Sequence, residues 1–294
     1  MIPEFLINKI KDEYQEDYQK ILNGYNSNRV NSLRINTIKS NFDEITNILK
    51  SNNISYDTVS WYQDALIISD DLNKIKELKI YKEGKIYFQS LSSMIPPLVL
   101  NPLSNELILD MTSAPGGKTT QIAALSKNAA MITATEKNKI RSDRLKYNIE
   151  KQGAKKVSIL NVDARKLDEY FMFDKILLDA PCSGSGTLLS KNDNKDFNED
   201  LINRSIKFQH DLINEAIKHL KSGGDLIYST CSILKEENEL ILESILNDPS
   251  LSLVNITEID TSKFPLLPSK YNEVLTICPT EYFEGFFVAK IHKQ

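Results

Sequence analysis

The sequence predicts an α/β fold: a Rossmann-like, mostly parallel sheet preceded by a small α+β domain. Two observations support the sheet. From about residue 106, short apolar runs alternate with helical stretches, and several of those runs end at an acidic residue. A third observation separates the N-terminal part, where strand and helix patterns follow no regular alternation. We therefore expect an N-terminal domain over 1–88 and a larger domain over 89–294.

The N-terminal part combines amphipathic helices with short strands. An apolar periodicity predicts one helix over 5–22. A second helix is expected over 42–50, with Ser40 and Asp43 offering a start that resembles a capping box. The expected strands are 31–36, 65–68 and 86–88. Together these elements predict a small α+β unit.

The C-terminal part begins with a bridge and continues as alternating strands and helices. Residues 89–100 are expected to form a helix that breaks near Pro96 and Pro97, because proline removes a helical hydrogen bond. The expected strands are 106–111, 130–135, 157–160, 175–178 and 225–229, and the expected helices are 118–127, 138–152 and 201–220. The glycine pair at 223–224 is expected to end the last helix.

Composition restricts the class of protein. With 41% hydrophobic and 26% charged residues, the 294-residue chain has a globular composition without long disorder. It contains no apolar run of 18 residues and no recognisable signal peptide, so we expect no membrane association. Three cysteines argue against a disulfide scaffold and are typical of the cytoplasm. The net charge of −4 means that nucleic-acid binding would need local basic patches.

Acidic residues stand at the ends of four predicted strands. They are Asp110, Glu136, Asp163 and Asp179. A single acid at such a place is often a helix cap or a solvated turn. Ligands of open α/β sheets bind beyond the carboxyl ends of the strands, so four acids there predict a ligand pocket.

The loop after the first strand of this sheet is rich in small residues, but it is no phosphate loop. Gly117, Lys118 and Thr119 fit the end of a P-loop, whereas Thr112 occupies the position of its first glycine. Glu136 lies at the end of the next strand, where an acid pairs with ribose hydroxyls in nucleoside-binding sheets. The pocket therefore suits a nucleoside without a pyrophosphate, and S-adenosylmethionine is the expected cofactor.

Two cysteines follow the fourth and fifth strands of the predicted sheet. Cys182 lies in the segment 179–187 and Cys231 in 229–232. Free cysteines are often small buried fillers, and we interpret Cys278 in that way. Beside a methyl donor, however, a thiolate could add to carbon 6 of a cytosine and make carbon 5 nucleophilic. Asp179 could then hydrogen-bond the amidine edge of the ring. The residues alone do not say which cysteine attacks.

The chain resembles the Sun (Nop/Sun) family of RNA cytosine-5 methyltransferases from about residue 28 to the C-terminus. The motifs that carry the resemblance are 31–34, 87–90, 110–119, 179–187, 230–232 and 284–289. The resemblance implies a class I methyltransferase sheet and an N-terminal domain similar to RNA-recognition folds. The paired Pro-Cys and Thr-Cys motifs are the specific part of the match.

The resemblance also implies roles for individual residues. Cys231 would be the nucleophile and Cys182 the thiol that assists release of the methylated RNA, while Lys118 and Asp179 would border the target base. Alternatively, Lys118 could cap carbonyls of the loop. The implied cofactor-binding residues are Thr112, Ser113, Ala114, Pro115, Gly116, Gly117, Lys118, Glu136, Arg141, Asp163 and Asp179. No metal ligands are assigned.

RNA, either transfer or ribosomal, is the expected partner, and we expect a monomer. The stretch 136–156 holds eight basic residues against three acids, although such a helix is often only a solvated face. The basic residues are Lys137, Lys139, Arg141, Arg144, Lys146, Lys151, Lys155 and Lys156. Two alternatives stay open: a methyltransferase for another acceptor with structural cysteines, or a non-catalytic RNA-binding assembly factor.

Overall fold

Two sheets organise the residues that the structure describes, one of four strands and one of eight. A computed structural model describes residues 1–192 and 194–294. The eight-stranded sheet has helices on both faces, so the predicted α/β class with a Rossmann-like sheet is confirmed. No helix within the described ranges is long and apolar enough to cross a bilayer.

The chain begins with two helices rather than the single helix expected over 5–22. They are α1, Glu4–Tyr14, and α2, Tyr18–Asn26. The expected helix is interrupted at Gln15, whose φ of 43° is left-handed. Both helices pack into an apolar cluster with side chains of the larger unit, among them Phe197 and Ile233.

The four-stranded sheet follows the β-α-β-β-α-β pattern of ferredoxin-like domains. Its elements are β1 (Asn31–Ile35), α3 (Phe42–Ser51), β2 (Tyr56–Thr58), β3 (Ala65–Ile68), α4 (Leu72–Glu77), α5 (Lys79–Lys82) and β4 (Ile86–Phe88). The strand order is β2-β3-β1-β4, and all neighbours are antiparallel. Sequence patterns missed β2, α4 and α5, each of which is short.

Helix α3 is capped one residue later than Ser40. The Asn41 side chain accepts a hydrogen bond from the Glu44 backbone N–H at 3.0 Å. The Ser40 hydroxyl donates to the Glu44 carboxylate at 2.8 Å. Serine therefore supports the first turn through the glutamate side chain, and asparagine satisfies the backbone.

Helix α6, Leu91–Leu100, is continuous through Pro96 and Pro97, so the expected break is wrong. Pro97 cannot donate to the Ser93 carbonyl, four residues earlier. That carbonyl instead accepts a hydrogen bond from the Gln89 side chain at 3.1 Å. A side chain from before the helix thus replaces one missing backbone bond.

The large sheet carries the strand ends that form the site. Its elements are β5 (Leu107–Asp110), α7 (Gly117–Leu125), β6 (Met131–Thr135), α8 (Lys139–Gln152), β7 (Val157–Leu160), β8 (Phe173–Asp179), α9 (Glu199–His219), β9 (Leu220–Thr230), α10 (Glu239–Ile245), β10 (Leu251–Leu253), β11 (Leu275–Ile277) and β12 (Phe286–Lys293). The order is β10-β12-β9-β8-β5-β6-β7, with β11 paired to β12. Strands β5 to β9 are parallel, so their carboxyl ends meet at one edge.

Alternate residues of each strand enter opposite apolar layers. Ile108 packs in the layer with α6, α7 and α8, whereas Leu109 packs in the layer with α9 and α10. This alternation explains the continuous apolar runs of the parallel strands, because both faces are covered.

The glycine pair at 223–224 does not end a helix, contrary to expectation. Helix α9 ends at His219, and β9 continues through the pair with an irregular register opposite Phe173 and Lys175. Gly223 has a φ of 78°. A Cβ on Gly224 would lie 2.7 Å from the Asp174 carbonyl oxygen. The pair therefore permits a bulge in the strand.

Arg34 of β1 joins the ferredoxin-like sheet to the larger unit. Its fully buried guanidinium donates to the side chains of Gln89 and Thr120, at 3.0 Å each. Burial lowers the pKa of this guanidinium. Thr120 lies in α7, so this contact ties the N-terminal sheet to the helix that follows the small-residue loop.

Candidate active site

A cavity of about 630 Å³ lies at the carboxyl edge of the large sheet. Three strand-end acids and both strand-end cysteines line it: Glu136, Asp163, Asp179, Cys182 and Cys231. Thr112, Ala114 and Arg141 complete the predicted residues on this wall. The volume lies within the range of small-molecule sites.

A second cavity of about 200 Å³ opens between the two sheets. It shares Thr112, Ala114 and Asp179 with the first cavity. It also contains the predicted loop residues Ser113, Pro115, Gly117 and Lys118. Gly116 lines neither cavity; its φ of 107° instead allows the turn into α7.

Three hydroxyl groups help to fix the small-residue loop. Thr119 donates to the buried Asp110 carboxylate at 2.6 Å, and Ser113 donates to the Asp110 carbonyl at 2.7 Å. The Thr112 hydroxyl donates to the Asp179 carbonyl at 2.6 Å. Burial raises the pKa of Asp110 to about 6. Asp110 anchors the loop through Thr119 and lines the second cavity instead of the larger one.

Glu136 and Arg141 form one corner of the large cavity. Glu136 is 5% exposed, and its two carboxylate oxygens face the Asn138 backbone N–H at 2.8 Å and the Arg141 guanidinium at 3.3 Å. Arg141 also donates to the Ala114 carbonyl at 3.0 Å. The corner thus holds an oriented carboxylate beside the small-residue loop.

Asp163 forms an ion pair with Arg165, a residue that no sequence pattern singled out. Arg165 donates to both Asp163 carboxylate oxygens, at 3.1 and 2.7 Å. Hydrogen bonding to Arg165 lowers the pKa of Asp163 to about 2. Phe208 was not singled out either. Its ring centroid lies 4.2 Å from the Arg165 guanidinium carbon and 4.2 Å from the Lys137 ammonium nitrogen. In the sequence Phe208 is indistinguishable from an ordinary apolar residue of α9.

Lys118 pairs with Asp179 rather than capping the loop. Its ammonium lies 2.7 Å from the Asp179 carboxylate and 2.8 Å from the Ser93 hydroxyl. Burial opposes its charge, but Asp179 more than compensates and raises the pKa of Lys118. Ser229 donates to the other Asp179 oxygen at 2.9 Å. The pair lies between the two cavities.

The two cysteines of the site face each other. The Cys182 and Cys231 sulfur atoms are 3.0 Å apart, and both residues are free thiols that are partly exposed in the large cavity. The hydrogen bond with Cys231, together with burial, raises the pKa of Cys182. Cys278 lies elsewhere, in the apolar cluster of α1 and α2. The arrangement thus places two thiols within hydrogen-bond distance of each other on the wall of the large cavity.

Comparison with protein families identifies both parts of the chain. A family described as 16S rRNA methyltransferase RsmB/F matches residues 97–292. A second family, the ferredoxin-like domain of RsmF/B-like methyltransferases, matches residues 2–73. The first match alone covers more than half of the chain.

Curated relatives include two kinds of ribosomal RNA methyltransferase. Ribosomal RNA small subunit methyltransferase F of Shewanella piezotolerans is 34% identical over 89% of this chain and 57% of the relative. The 25S rRNA (cytosine-C(5))-methyltransferase nop2 of Schizosaccharomyces pombe is 33% identical over 89% of this chain and 46% of the relative. The chain thus spans about half the length of these relatives.

Solved structures resemble the whole chain. NSun6 from Pyrococcus horikoshii, crystallised with SFG, has a TM-score of 0.86 and 26% identity, covering 99% of this chain and 98% of its own. A methyltransferase homolog protein from the same organism has a TM-score of 0.83 and 28% identity, with 100% and 96% covered. Both units of the chain recur in these structures.

Proposed function

The chain belongs to the RsmB/F family of 16S rRNA methyltransferases, and on that premise we propose that it methylates carbon 5 of a cytosine in ribosomal RNA. The observation that carries the proposal is the pair of sulfur atoms 3.0 Å apart on a cavity that also holds Asp179. A single cysteine would suffice for a structural role. Two facing thiols beside a carboxylate suit formation and release of a cysteine–cytosine bond.

S-adenosylmethionine is the methyl donor that the larger cavity fits. SFG, present in the Pyrococcus horikoshii structure, is an analogue of it. The Glu136 carboxylate is oriented and retains acceptor capacity for ribose hydroxyls. Met111, Val162 and Phe208 give the wall an apolar part suited to adenine. When bound, this donor supplies an electrophilic methyl group.

The chain's own groups account for the remaining steps. The Cys231 thiolate adds to carbon 6 of the cytosine, which makes carbon 5 nucleophilic. Asp179, held by Lys118 and Ser229, accepts a hydrogen bond from the amidine edge and stabilises the charge that develops. After methyl transfer a base takes the carbon-5 proton, and the electron pair of that C–H bond restores the double bond between carbons 5 and 6. The bond from Cys231 to carbon 6 breaks in the same step, and its electron pair leaves on the sulfur. Cys182, whose sulfur lies 3.0 Å from that of Cys231, is placed to protonate the departing sulfur.

The second cavity and helix α8 supply a path for RNA. Tyr87 and Ser90 line the second cavity together with Lys118 and Asp179, so a base that enters between the sheets would meet the ion pair. Recognition there requires an unstacked nucleotide. We assign residues 1–88 to RNA engagement on this basis.

Helix α8 extends that path with positive charge. Arg144, Lys146 and Tyr147 are exposed on it. The Lys151 ammonium lies 3.9 Å from the ring of Tyr81, which belongs to the ferredoxin-like domain. The basic face of α8 therefore adjoins the N-terminal unit. We further propose that the protein acts on ribosomal RNA as a monomer in the cytoplasm.

Nucleoside analysis after methyl transfer tests the proposal. The protein is incubated with labelled S-adenosylmethionine and unmodified ribosomal RNA, and the RNA is digested to nucleosides. We expect labelled 5-methylcytidine, produced equally by the matched Cys278→Ala variant and not by Cys231→Ala. Label in another nucleoside would favour a methyltransferase for a different acceptor. No transfer at all would favour an RNA-binding assembly factor.

A further inference from the structure

Each cysteine of the site is followed by a serine, and both serines bind the same carboxylate. The Ser183 hydroxyl donates to Glu237 at 2.6 Å, and its backbone N–H donates to the other oxygen at 2.7 Å. The Ser232 hydroxyl donates to Glu237 at 2.5 Å. A single side chain thus connects the loop that carries Cys182 to the loop that carries Cys231.

The burial of the Glu237 carboxylate is unusual for a group that can carry a charge. Its side chain is fully buried, and no ion pair found in the described part of the chain involves it. Burial raises its pKa, while the hydrogen bonds from Ser183 and Ser232 oppose that rise. A fourth donor, the Gln209 amide, lies 3.3 Å away. Burying a carboxylate without a counter-charge is costly, so four convergent donors indicate a specific use.

The backbone on both sides of the carboxylate is fixed as well. The Tyr228 hydroxyl, on β9, donates to the Glu237 carbonyl at 2.7 Å. The Gly186 N–H donates to the Cys231 carbonyl at 3.0 Å. The two loops are therefore joined directly as well as through the carboxylate, and Glu237 is the charged centre of that junction.

We propose that Glu237 is a positioning residue that holds the two cysteine loops in register, so that the sulfur atoms of Cys182 and Cys231 face each other at 3.0 Å. The proposal rests on the proposed function, in which both thiols act on one cytosine. Glu237 touches neither substrate nor cofactor in this account and holds the two loops through the serines that follow the cysteines.

The charge of Glu237 is consistent with the proposed roles of the two cysteines, in which Cys231 attacks and Cys182 protonates the departing sulfur. After the hydrogen bond with Cys231 and burial, the negative charge of Glu237 is a further cause that raises the pKa of Cys182. A carboxylate on that side therefore favours a protonated Cys182. Tyr228 of β9 is a further titratable group beside Glu237, and burial raises its pKa.

Cross-linking of the two thiols tests the register without RNA or methyl donor. Diamide oxidises the pair to a disulfide, taking both thiol hydrogens and becoming the corresponding hydrazine. In the Cys278→Ala background, where these are the remaining thiols, we expect Glu237→Gln to slow cross-linking about tenfold, since small misplacements of reacting groups have effects of at least this size. Removing the negative charge would by itself make Cys182 more reactive, so slower cross-linking reports lost register.

The matched control is Glu239→Gln. Glu239 is also buried and accepts a serine hydroxyl, from Ser269 at 2.9 Å, but it binds neither cysteine loop. We expect Glu239→Gln to cross-link at the same rate as the Cys278→Ala protein that retains both glutamates. Unchanged cross-linking in folded Glu237→Gln would overturn the proposal. If that variant does not fold, Ser183→Ala replaces it, with slower cross-linking expected and an unchanged rate again decisive against the proposal.

Methyl transfer provides the second readout. We expect Glu237→Gln to lower kcat about 100-fold with an unchanged KM for S-adenosylmethionine, because the thiols and not the donor site are displaced. A raised KM with unchanged kcat would contradict a positioning role. If the unmodified protein methylates no RNA, the proposed function fails, whereas the cross-linking comparison still decides whether Glu237 sets the register.

Discussion

Glu136 shows how neighbouring groups can orient a carboxylate on the wall of a cavity. Its carboxylate is oriented by the Asn138 backbone on one side and by Arg141 on the other. It is nearly buried at the end of β6, beside the loop that starts at Thr112. An acceptor held in this way loses little conformational entropy when hydroxyls bind, which favours affinity.

We predict that Glu136→Gln weakens binding of S-adenosylmethionine about 10- to 100-fold, the range expected for losing hydrogen bonds to a charged acceptor. The amide replaces one acceptor by a donor that cannot pair with Arg141. Isothermal titration calorimetry measures the change. Glu150→Gln, an exposed acid on α8, serves as the control and should bind normally. Normal affinity in Glu136→Gln would remove Glu136 from the cofactor site.

Among individual residues, the sequence predicted the proximity of those that follow neighbouring strands of the sheet. Cys182 and Cys231 follow parallel strands that are neighbours in the sheet, so their meeting follows from strand order. Arg165, Phe208 and Glu237 were not predicted, because their partners approach from helices and loops whose packing no local pattern encodes. Glu237 in particular lies in a charged stretch of the sequence, so it resembles an exposed glutamate until its contacts with the two serines are known.

Among the elements, the loop that carries Cys182 is locked to the turn before β12 by two glycines. The Gly285 N–H donates to the Gly186 carbonyl at 2.8 Å. A Cβ on Gly186 would lie 2.0 Å from the Gly285 carbonyl oxygen. The backbones therefore touch, and neither position has room for a side chain.

We predict that Gly186→Ala destabilises the protein by about 3 kcal/mol or more, because the new methyl group meets backbone that cannot move aside. Gly223→Ala is the matched control, since its φ of 78° is unfavourable but nothing lies within 4 Å of the added carbon. It should cost only about 1 kcal/mol. Urea denaturation measures both free energies of unfolding. Equal losses would show that the close approach at Gly186 is unimportant.

Element prediction failed where adjacent residues changed the effect of a local rule. Pro97 did not break α6, because Gln89 satisfies the carbonyl that the proline leaves free. The glycine pair at 223–224 did not stop a helix, because the chain was already extended from Leu220. In both cases the local signal was real, and a neighbouring segment changed its consequence.

Across the whole molecule, the N-terminal segment supports the site from two sides. Arg34 ties the ferredoxin-like sheet to α7, next to the small-residue loop. On the other side, Tyr14 of α1 donates to the Ile233 carbonyl, and Tyr25 of α2 donates to the Ser185 carbonyl at 2.8 Å. Ile233 and Ser185 belong to the two cysteine loops. The two cysteine loops and the N-terminal segment are thus mechanically connected.

The sequence predicted the order of the two units but not this connection. The amphipathic pattern of residues 5–22 indicates that one face is buried, yet it does not say against which surface. In the structure that surface includes Phe197 and Ile233 of the larger unit rather than the four-stranded sheet. The α/β class was predictable because alternating strands and helices restrict topology.

Trapping of a covalent protein–RNA adduct tests the division of labour between the two sulfurs most directly. Cys182→Ala protein is incubated with RNA and S-adenosylmethionine and run on a denaturing gel. We predict that it accumulates an adduct, because Cys231 attacks normally while release is impaired. The adduct should be absent from Cys182→Ala/Cys231→Ala. Normal turnover without adduct in Cys182→Ala, or an adduct that persists without Cys231, would contradict the account.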